Sequence, residues 1–271
     1  MKPINQLKIV SVISLLIACV VSSNINAQAI PRLTNGKPDL NGIWQAMGSA
    51  NWNLEAHNAE AGPVAKMGAI GAIPGGLGVV EGGKIPYKPE ALKVRDENRA
   101  NWLEKDPVVK CYLPGVPRAT YLPHPFQIFL SPDVSLITYE FAGADRIVYM
   151  DRKDLEAQVD SWMGYNVGHW EGDTLVIDVT GQMPETWFDH AGNWHSEYMR
   201  VQERYTMVSP NVIQYQATIT DEEVFTKPWT IKMPLYRRLD ENMQLLDFKC
   251  VEFVEELLYG HLRKGVYKEE K

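Results

Sequence analysis

Four ionisable side chains lie close together between positions 189 and 197, and their types suit proton transfer. Asp189 and His190 are adjacent in a predicted loop, and His195 and Glu197 follow two positions apart. On a β-strand, residues two apart point to the same face, so His195 and Glu197 could converge on one ligand. A histidine beside a carboxylate is the minimal unit for moving a proton to or from carbon or oxygen. The sequence therefore predicts an acid–base site of His195, Glu197 and Asp189.

The segment 195–207 is predicted to be a strand with one inward face. The residues that we expect on that face are His195, Glu197, Met199, Val201, Glu203 and Tyr205. Their neighbours on the other face are mostly polar and suit solvent. An inward carboxylate is costly unless it is paired or has a task. The alternative is that Asp189 and Glu197 only hold the loop, through backbone N–H groups and nearby arginine side chains.

Two other chemistries are weaker interpretations of the same residues. His190, His195 and Glu197 could supply a two-histidine, one-carboxylate metal site. The spacing H-x₄-H is not a known metal signature, however, and no H-E-x-x-H or C-x-x-C motif occurs. Ser196 adjoins His195, but adjacent strand residues point to opposite faces, so they cannot form a serine–histidine couple. We therefore expect chemistry without a cofactor.

A proline-rich segment, Cys111–Phe126, is predicted to wrap over the body as an extended loop without helix. Its prolines at positions 114, 117, 123 and 125 oppose both helix and interior strand. The loop presents side chains that could line the rim of a pocket, and tryptophans beside the acid–base residues could form its walls. The predicted ligand-binding residues are Arg118, Tyr121, His124, His190, Trp187 and Trp194.

Aromatic content points to the kind of ligand. The chain has eight tryptophans and twelve tyrosines, and many lie in loops near these residues. Aromatic side chains on loops often wall pockets for apolar rings, aromatic rings or sugars. Packing at the rim of a barrel would account for others. The expected partner is a small apolar or aromatic molecule.

The N-terminus has the form of a signal peptide. Two lysines precede an apolar run, residues 9–21, which is too short to span a bilayer. Residues 27–29, Ala-Gln-Ala, fit a signal-peptidase site and make residues 1–29 the signal peptide. A competing site, residues 16–19, resembles a lipobox in which Cys19 would be lipidated. Either way the sequence predicts export: the first site gives a periplasmic or secreted protein, and the second a lipoprotein anchored at Cys19.

Length and charge limit the remaining classes. Cleavage after residue 29 would leave a single domain, residues 30–271, and removing two lysines would shift the formal charge from −7 to −9. This acidic balance argues against nucleic acid and anionic membranes as partners. No second apolar stretch is long enough to span a membrane. The oligomeric state stays open.

Two cysteines, Cys111 and Cys250, remain after the predicted cleavage. In an oxidising compartment an even pair favours a disulfide, which would tie the middle of the chain to its last predicted strand. The alternative is two buried thiols.

The order of elements favours a mainly β fold. A first strand is expected near Gly42, one helix over residues 89–106, and a glycine-rich flap over residues 62–83 that lies on an apolar cavity; a disordered insertion is the alternative for the flap. Short turns between the later strands indicate a mainly antiparallel sheet that closes into a barrel. Those strands are predicted at 126–130, 135–141, 145–151, 165–171, 173–180, 195–207, 211–220, 229–237 and 244–253.

Several motifs resemble known families. Gly42-Ile43-Trp44 resembles the G-x-W start of lipocalin-like (calycin-like) barrels. A broader resemblance is to an uncharacterised family of exported bacterial proteins, which implies a secreted, barrel-like fold and no particular mechanism. The motifs that carry it are K-C-Y-L-P-G-V-P-R (110–118), P-F-Q-I (125–128), W-E-G-D-T-L-V-I-D (170–178), D-x-x-G-x-x-H-S-E (189–197) and F-T-K-P-W (225–229).

Three functional hypotheses follow from the sequence. The first is an exported barrel that takes a small apolar ligand under the flap and acts as an isomerase, hydratase or lyase through His195 and Glu197. The second is a non-catalytic periplasmic carrier. The third is an envelope-associated structural protein, in which the same residues serve only the fold. A cavity in which His and Glu converge would favour the first two hypotheses.

Overall fold

A computed structural model describes residues 29–63, 68–69 and 71–250. Residues 1–28 of the predicted signal peptide, including Cys19, lie outside the described residues. Nine strands form one closed barrel in chain order, so the predicted mainly β, lipocalin-like barrel is confirmed. The strands are β1 (Gly42–Ala46), β2 (Phe126–Phe129), β3 (Val134–Tyr139), β4 (Asp145–Met150), β5 (Tyr165–Glu171), β6 (Thr174–Thr180), β7 (Arg200–Ser209), β8 (Val212–Thr220) and β9 (Trp229–Arg237).

One strand pair departs from the antiparallel pattern. β4 and β5 are parallel, with Val148 opposite Asn166, whereas every other neighbouring pair is antiparallel. Parallel neighbours need a crossover of about a dozen residues or more, and residues 151–164 provide it. Because this connection contains no helix, its length alone did not reveal a crossover.

The barrel interior follows from alternation along the strands. In β7 the buried residues are Val201, Glu203, Tyr205 and Met207, and the residues between them are more exposed. The inner residues of β8 and β9 continue this layer with tyrosine, isoleucine and methionine side chains. The predicted period-two pattern is therefore confirmed from position 200 onward.

Three short helices accompany the barrel in the described part of the chain. The predicted helix is confirmed as α1 (Pro89–Ala100), with proline in its first turn, and α2 (Trp102–Lys105), separated by Asn101. A third helix, α3 (Arg118–Tyr121), occupies the segment that we expected to be free of helix. That prediction was wrong because the four residues of α3 lie between Pro117 and Pro123, where no proline interrupts them. No helix in the described part of the chain is long and apolar enough to span a bilayer.

Two predicted strand boundaries are also wrong. β7 begins at Arg200, and residues 196–199 form a turn in which Met199 N donates to Ser196 O over 3.3 Å. Residues 244–250 form no strand, and the described part of this segment makes only one bridge, between Phe248 and Phe141. The rest of that predicted strand lies outside the described residues.

The predicted disulfide between Cys111 and Cys250 is confirmed, with a Cα–Cα distance of 5.1 Å. The bond joins positions 139 residues apart, and cross-linking so long a loop adds about 4–5 kcal/mol in the chain-entropy account. Disulfides persist in oxidising compartments, so this bond favours a location outside the reducing cytosol.

Trp44 of the G-x-W motif anchors the start of the barrel. Its side chain is fully buried, and its indole N–H donates to Leu40 O over 2.8 Å. The guanidinium of Arg237, at the end of β9, lies 4.2 Å from the centre of the Trp44 ring. The first and last strands are thus joined by side chains as well as by the sheet.

Candidate functional site

The edge of β9 that faces β1 is paired in two separate places. β1 pairs with its C-terminal part, where Ala46 lies opposite Leu235. Nearer the N-terminal end of β9, Lys232 N donates to Val79 O over 2.9 Å, and Glu81 N donates to Thr230 O over 2.8 Å. These two pairings leave a gap at residues 233–234 on this edge of the otherwise closed barrel, and we call this gap the seam.

Pro234 lies in this seam. Alternate residues of a strand direct their backbone groups to the same neighbour, so position 234 follows Thr230 and Lys232 in facing the open edge. Proline has no N–H, so the seam leaves no unpaired donor there. On its other side β9 remains paired, with Pro234 opposite Gln214 of β8.

A pocket of about 570 Å³ opens at the seam, and we call it the seam pocket. Pockets of this size hold small organic molecules. Its walls are largely apolar and come from the end of β1, from β9 and from the glycine-rich segment. The lining residues are Ala46, Met47, Gly48, Ser49, Ala50, Asn53, Pro74, Gly75, Gly76, Leu77, Gly78, Val79, Tyr121, Lys232, Met233 and Pro234.

One wall of the seam pocket comes from a hairpin, residues 57–60 paired with residues 73–76, in which Pro74, Gly75 and Gly76 line the pocket. His57 and Gly76 exchange two backbone hydrogen bonds of 2.9 Å. A Cβ on Gly76 would clash with Ser49 Oγ and with the His57 ring, so a larger residue here would require these side chains to move. The placement agrees with a flap over an apolar cavity; its mobility stays a prediction.

Exposed apolar side chains surround the mouth of the seam pocket. Leu77, just beyond the hairpin, is 99 % exposed, and Met47, just after β1, is 74 % exposed. Single exposed apolar residues are common, but two at the mouth of an apolar pocket are typical of a binding site.

A second, smaller pocket of about 210 Å³ lies against the other side of the hairpin, and we call it the His190 pocket. Trp52 and Trp102 each pack on the His190 ring, with centroid distances of 4.8 Å. Asn53 lines both pockets. The remaining lining residues of the His190 pocket are His57, Glu60, Ala61, Pro63, Ile73, Arg99 and Ala191.

His190 belongs to a buried ion-pair network. Arg118 binds Asp106 through two parallel hydrogen bonds of 2.8 Å, and both side chains are fully buried. The second oxygen of Asp106 lies 2.7 Å from His190 Nδ1. Asn51 Oδ1 accepts from Arg118, so Asn51 directs its Nδ2 donor to His190 Nε2 at 3.0 Å. The ring therefore carries its proton on Nδ1 and donates it to Asp106.

The pKa values of this network follow from its burial and charges. Burial alone would raise the pKa of Asp106, but Arg118 and His190 outweigh it and lower the pKa to about 2. Burial lowers the pKa of His190, and the positive charge of Arg118 adds to that effect, although Asp106 opposes it. His190 is thus a neutral imidazole at neutral pH, with an 11 % exposed side chain beside a pocket.

His195 is buried, as predicted, but it is fully engaged by protein groups. Nδ1 lies 2.8 Å from Ser196 O and must donate to it, and Nε2 lies 2.6 Å from Thr186 Oγ1. Burial lowers the pKa of His195, which keeps the ring neutral. This pattern is typical of a histidine that holds the fold.

The predicted convergence of His195 and Glu197 is wrong, because Glu197 is exposed. The cause is the turn at residues 196–199. Asp221, just after β8, accepts from both Ser196 N and Ser196 Oγ, at 2.7 and 2.9 Å. This contact holds the chain away from a strand conformation, so the two side chains no longer share a face.

Asp189 organises the loop that connects these residues. Its fully buried carboxylate accepts from Leu54 N and Asn193 Nδ2, at 2.8 and 2.7 Å, and from Ala191 N at 3.0 Å. Burial raises its pKa to about 6, although these hydrogen bonds oppose the rise. The geometry agrees with the alternative considered above, in which Asp189 holds the loop.

The predicted ligand-binding residues do not form one rim. Arg118 is buried on Asp106, and the Tyr121 hydroxyl donates to Phe188 O over 2.8 Å although Tyr121 also lines the seam pocket. His124 lies 3.3 Å from Glu140 and stacks on Phe248.

Trp187 and Trp194 pair with each other across the base of the 187–194 loop. The indole N–H of Trp194 donates to Ala91 O over 3.1 Å, so this side chain docks the loop on α1. Neither tryptophan lines the seam pocket or the His190 pocket.

A second buried ion pair lies inside the barrel. Arg146 of β4 binds Glu203 of β7, and both side chains are fully buried. Glu203 accepts from the hydroxyls of Tyr205 and Tyr215, at 3.0 and 2.7 Å. Arg146 also donates to Tyr139 OH over 3.0 Å. Asn166 Oδ1 accepts two further hydrogen bonds from Arg146, at 3.0 and 2.7 Å, so charged, hydroxyl and amide groups satisfy one another.

Sequence reasoning missed Asp106, Asn51 and the Arg146–Glu203 pair. An inward arginine on β4 and an inward glutamate on β7 were readable from strand alternation, whereas nothing local marks Asp106. The alternative metal site of His190, His195 and Glu197 also lacks support. Within the described residues, no group of three His, Cys, Asp or Glu side chains is placed to hold a metal ion. Comparison with family models, curated proteins and solved structures gives no match to this chain.

Proposed function

We propose that this protein binds a small, largely apolar molecule in the seam pocket. The observation that carries the proposal is an apolar cavity of about 570 Å³ at an unpaired stretch of the barrel edge. A glycine-rich hairpin supplies part of the cavity wall, and Leu77 and Met47 expose apolar surface at its mouth. Such a pocket with few polar groups is the usual form of a small-molecule site.

Fluorescence titration with N-phenyl-1-naphthylamine, a neutral apolar dye, tests the proposal. We expect saturable binding at one site. Replacing Ala46 by phenylalanine would fill part of the pocket, and the double variant Met47→Ser/Leu77→Ser would remove apolar surface at its mouth. Each change should weaken binding about tenfold, equivalent to about 1.4 kcal/mol.

Leu239→Ser is the matched control, because Leu239 is a 68 % exposed leucine that does not line the seam pocket. It should bind the dye as the parent protein does. Non-saturable binding, or equal affinity in all variants, would rule out the seam pocket as the site.

We propose further that binding takes place in the periplasm or outside the cell. The disulfide and the form of the N-terminus support this location, as does the resemblance to exported bacterial proteins. Binding without catalysis, as in a carrier, requires nothing beyond the seam pocket.

Acid–base catalysis is a second candidate function, and the arrangement of His190 favours it. This neutral imidazole is oriented by Asp106 and lies beside a pocket that shares Asn53 with the seam pocket. A histidine held in this way can take up a proton through Nε2 once a ligand displaces the Asn51 donor. The isomerase, hydratase and lyase reactions considered above all need such a group.

Hydrogen–deuterium exchange at carbon tests this candidate without knowledge of the natural substrate. Small cyclic ketones in D₂O would be followed by NMR, with exchange expected next to the carbonyl group. His190→Gln should abolish it, whereas His169→Gln, at a partly exposed histidine of β5, should not. Equal exchange in both variants, or no exchange by the parent protein, would refute a catalytic His190.

A further inference from the structure

We infer that the ligand of the seam pocket is an amphiphile with an apolar body and an anionic head that pairs with Lys232. This inference rests on the proposed binding function and adds the chemical class of the ligand. It follows from the distribution of charge and of hydrogen-bond donors around the pocket.

Among the described residues that line the seam pocket, Lys232 is the only charged one. Its side chain lies on the exposed face of β9. The lysine ion pairs in the described part of the chain are those of Lys84, Lys105 and Lys249, so Lys232 has no carboxylate partner there. Among the described lining residues there is also no aspartate or glutamate that would compete for it.

The other polar side chains of the pocket can also donate. Asn53 Oδ1 already accepts from Glu55 N over 2.9 Å, which leaves the Nδ2 donor of Asn53 for a ligand. Ser49 adds a hydroxyl to the pocket lining, near Gly76. A pocket with one cation, an amide donor and a hydroxyl suits a head group that accepts hydrogen bonds, such as a carboxylate.

The apolar residues that line the pocket indicate that the rest of the ligand, apart from its head group, is apolar. Ala46, Ala50, Val79 and Met233 line the pocket, so an alkyl or ring body would be removed from water there. The net charge of the chain is −7, so its overall field disfavours an anionic ligand. Lys232, a cation beside apolar walls, is a local exception to that field and would discriminate between anionic and neutral head groups.

Competition between two matched ligands tests the inference. Dodecanoate and 1-dodecanol have the same chain length and differ in the head group. Each would displace N-phenyl-1-naphthylamine from the full-length protein at neutral pH and low salt. We expect dodecanoate to bind about fivefold more tightly, the size of one solvent-exposed ion pair.

Variants at Lys232 assign that preference to one side chain. Lys232→Met should abolish the preference, measured as the ratio of dodecanoate to dodecanol affinity within that variant, whereas Lys232→Arg should retain it. Lys153→Met is the matched control at an exposed lysine outside the pocket. Added salt should reduce the preference of the parent protein, since it screens exposed charges.

The outcomes separate the two proposals. Dye binding with no preference for dodecanoate, or with a preference that survives in Lys232→Met, overturns the anionic head and leaves the proposed function intact. Absence of saturable dye binding overturns the proposed function and this inference together.

Discussion

The protein buries two arginine–carboxylate pairs in contrasting surroundings. Inside the barrel, Arg146 and Glu203 are enclosed by tyrosine hydroxyls and an asparagine amide, and every partner is itself buried. The pair of Arg118 with Asp106 is equally buried, but its carboxylate also holds His190, which reaches a pocket. One network is sealed, and the other is connected to a surface where a ligand could act.

This difference shows that burial of charge alone does not identify a functional site. Both pairs satisfy the need of a buried charge for a partner. Only the second includes a neutral, titratable ring whose hydrogen bonds fix its tautomer. The useful distinction is whether a buried network ends on a group that a ligand can reach.

The largest expected effect is on the sealed network. Glu203→Gln leaves Arg146 charged and buried, so the free energy of unfolding, measured in urea at pH 7, should fall by about 3–5 kcal/mol. The double variant Arg146→Met/Glu203→Leu removes both charges and should recover much of this loss. A loss below about 1 kcal/mol in the single variant would contradict a sealed network.

Disrupting the network of Arg118, Asp106 and His190 should lower the free energy of unfolding somewhat less. Asp106→Asn leaves Arg118 without its carboxylate, although Asn51 Oδ1 remains a partner, and we expect a loss of about 3 kcal/mol at pH 7. Urea unfolding measures this loss, and Asp96→Asn, at an exposed aspartate of α1, serves as a control with little change.

The same variant should change the pH dependence of stability. Because the folded pKa of Asp106 is about 2, below its usual 3.8, its ionised form stabilises the fold above pH 3.8. That contribution, about 2 kcal/mol, is lost as pH falls through 2. Unfolding curves of the parent protein and Asp106→Asn should therefore converge below pH 4. A constant difference would mean that Asp106 is not held ionised by its partners.

The smallest effects test whether residues 195–197 only hold the fold, as the sealed network does, or belong to a ligand site. His195→Ala breaks two buried hydrogen bonds and should cost about 2 kcal/mol of unfolding free energy, with dye binding intact. Glu197→Gln, at an exposed turn, should stay within about 0.5 kcal/mol. Loss of dye binding in either variant would place this segment at the ligand site.

Strand alternation predicted most of the barrel because burial on one face imposes period two. It failed at residues 196–199, where His-Ser-Glu-Tyr-Met continues the alternating pattern but Asp221 binds Ser196 and turns the chain. The contact comes from the far end of β8, so no local signal shows it. A similar limit applies to the parallel β4–β5 pair, whose crossover lacks a helix.

The candidate site was only partly predictable. A run of glycines among apolar residues indicated a cover over an apolar cavity, and the 62–83 segment does supply part of the seam pocket wall. Asp106, Arg118 and His190 come from three separate segments, and their contact depends on how α2, α3 and the 187–194 loop pack. Residue type alone identified His190 and Arg118 as candidate site residues, but it did not identify Asp106, which binds both.

Pro234 has a consequence for how a ligand would enter. At most barrel edges, admitting a molecule between strands requires breaking backbone hydrogen bonds. Pro234 has no N–H, so widening the seam at this position would break no hydrogen bond donated by β9. A ligand that entered there would meet side-chain contacts and the hairpin, while the neighbouring bonds at Lys232 and Thr230 could stay in place.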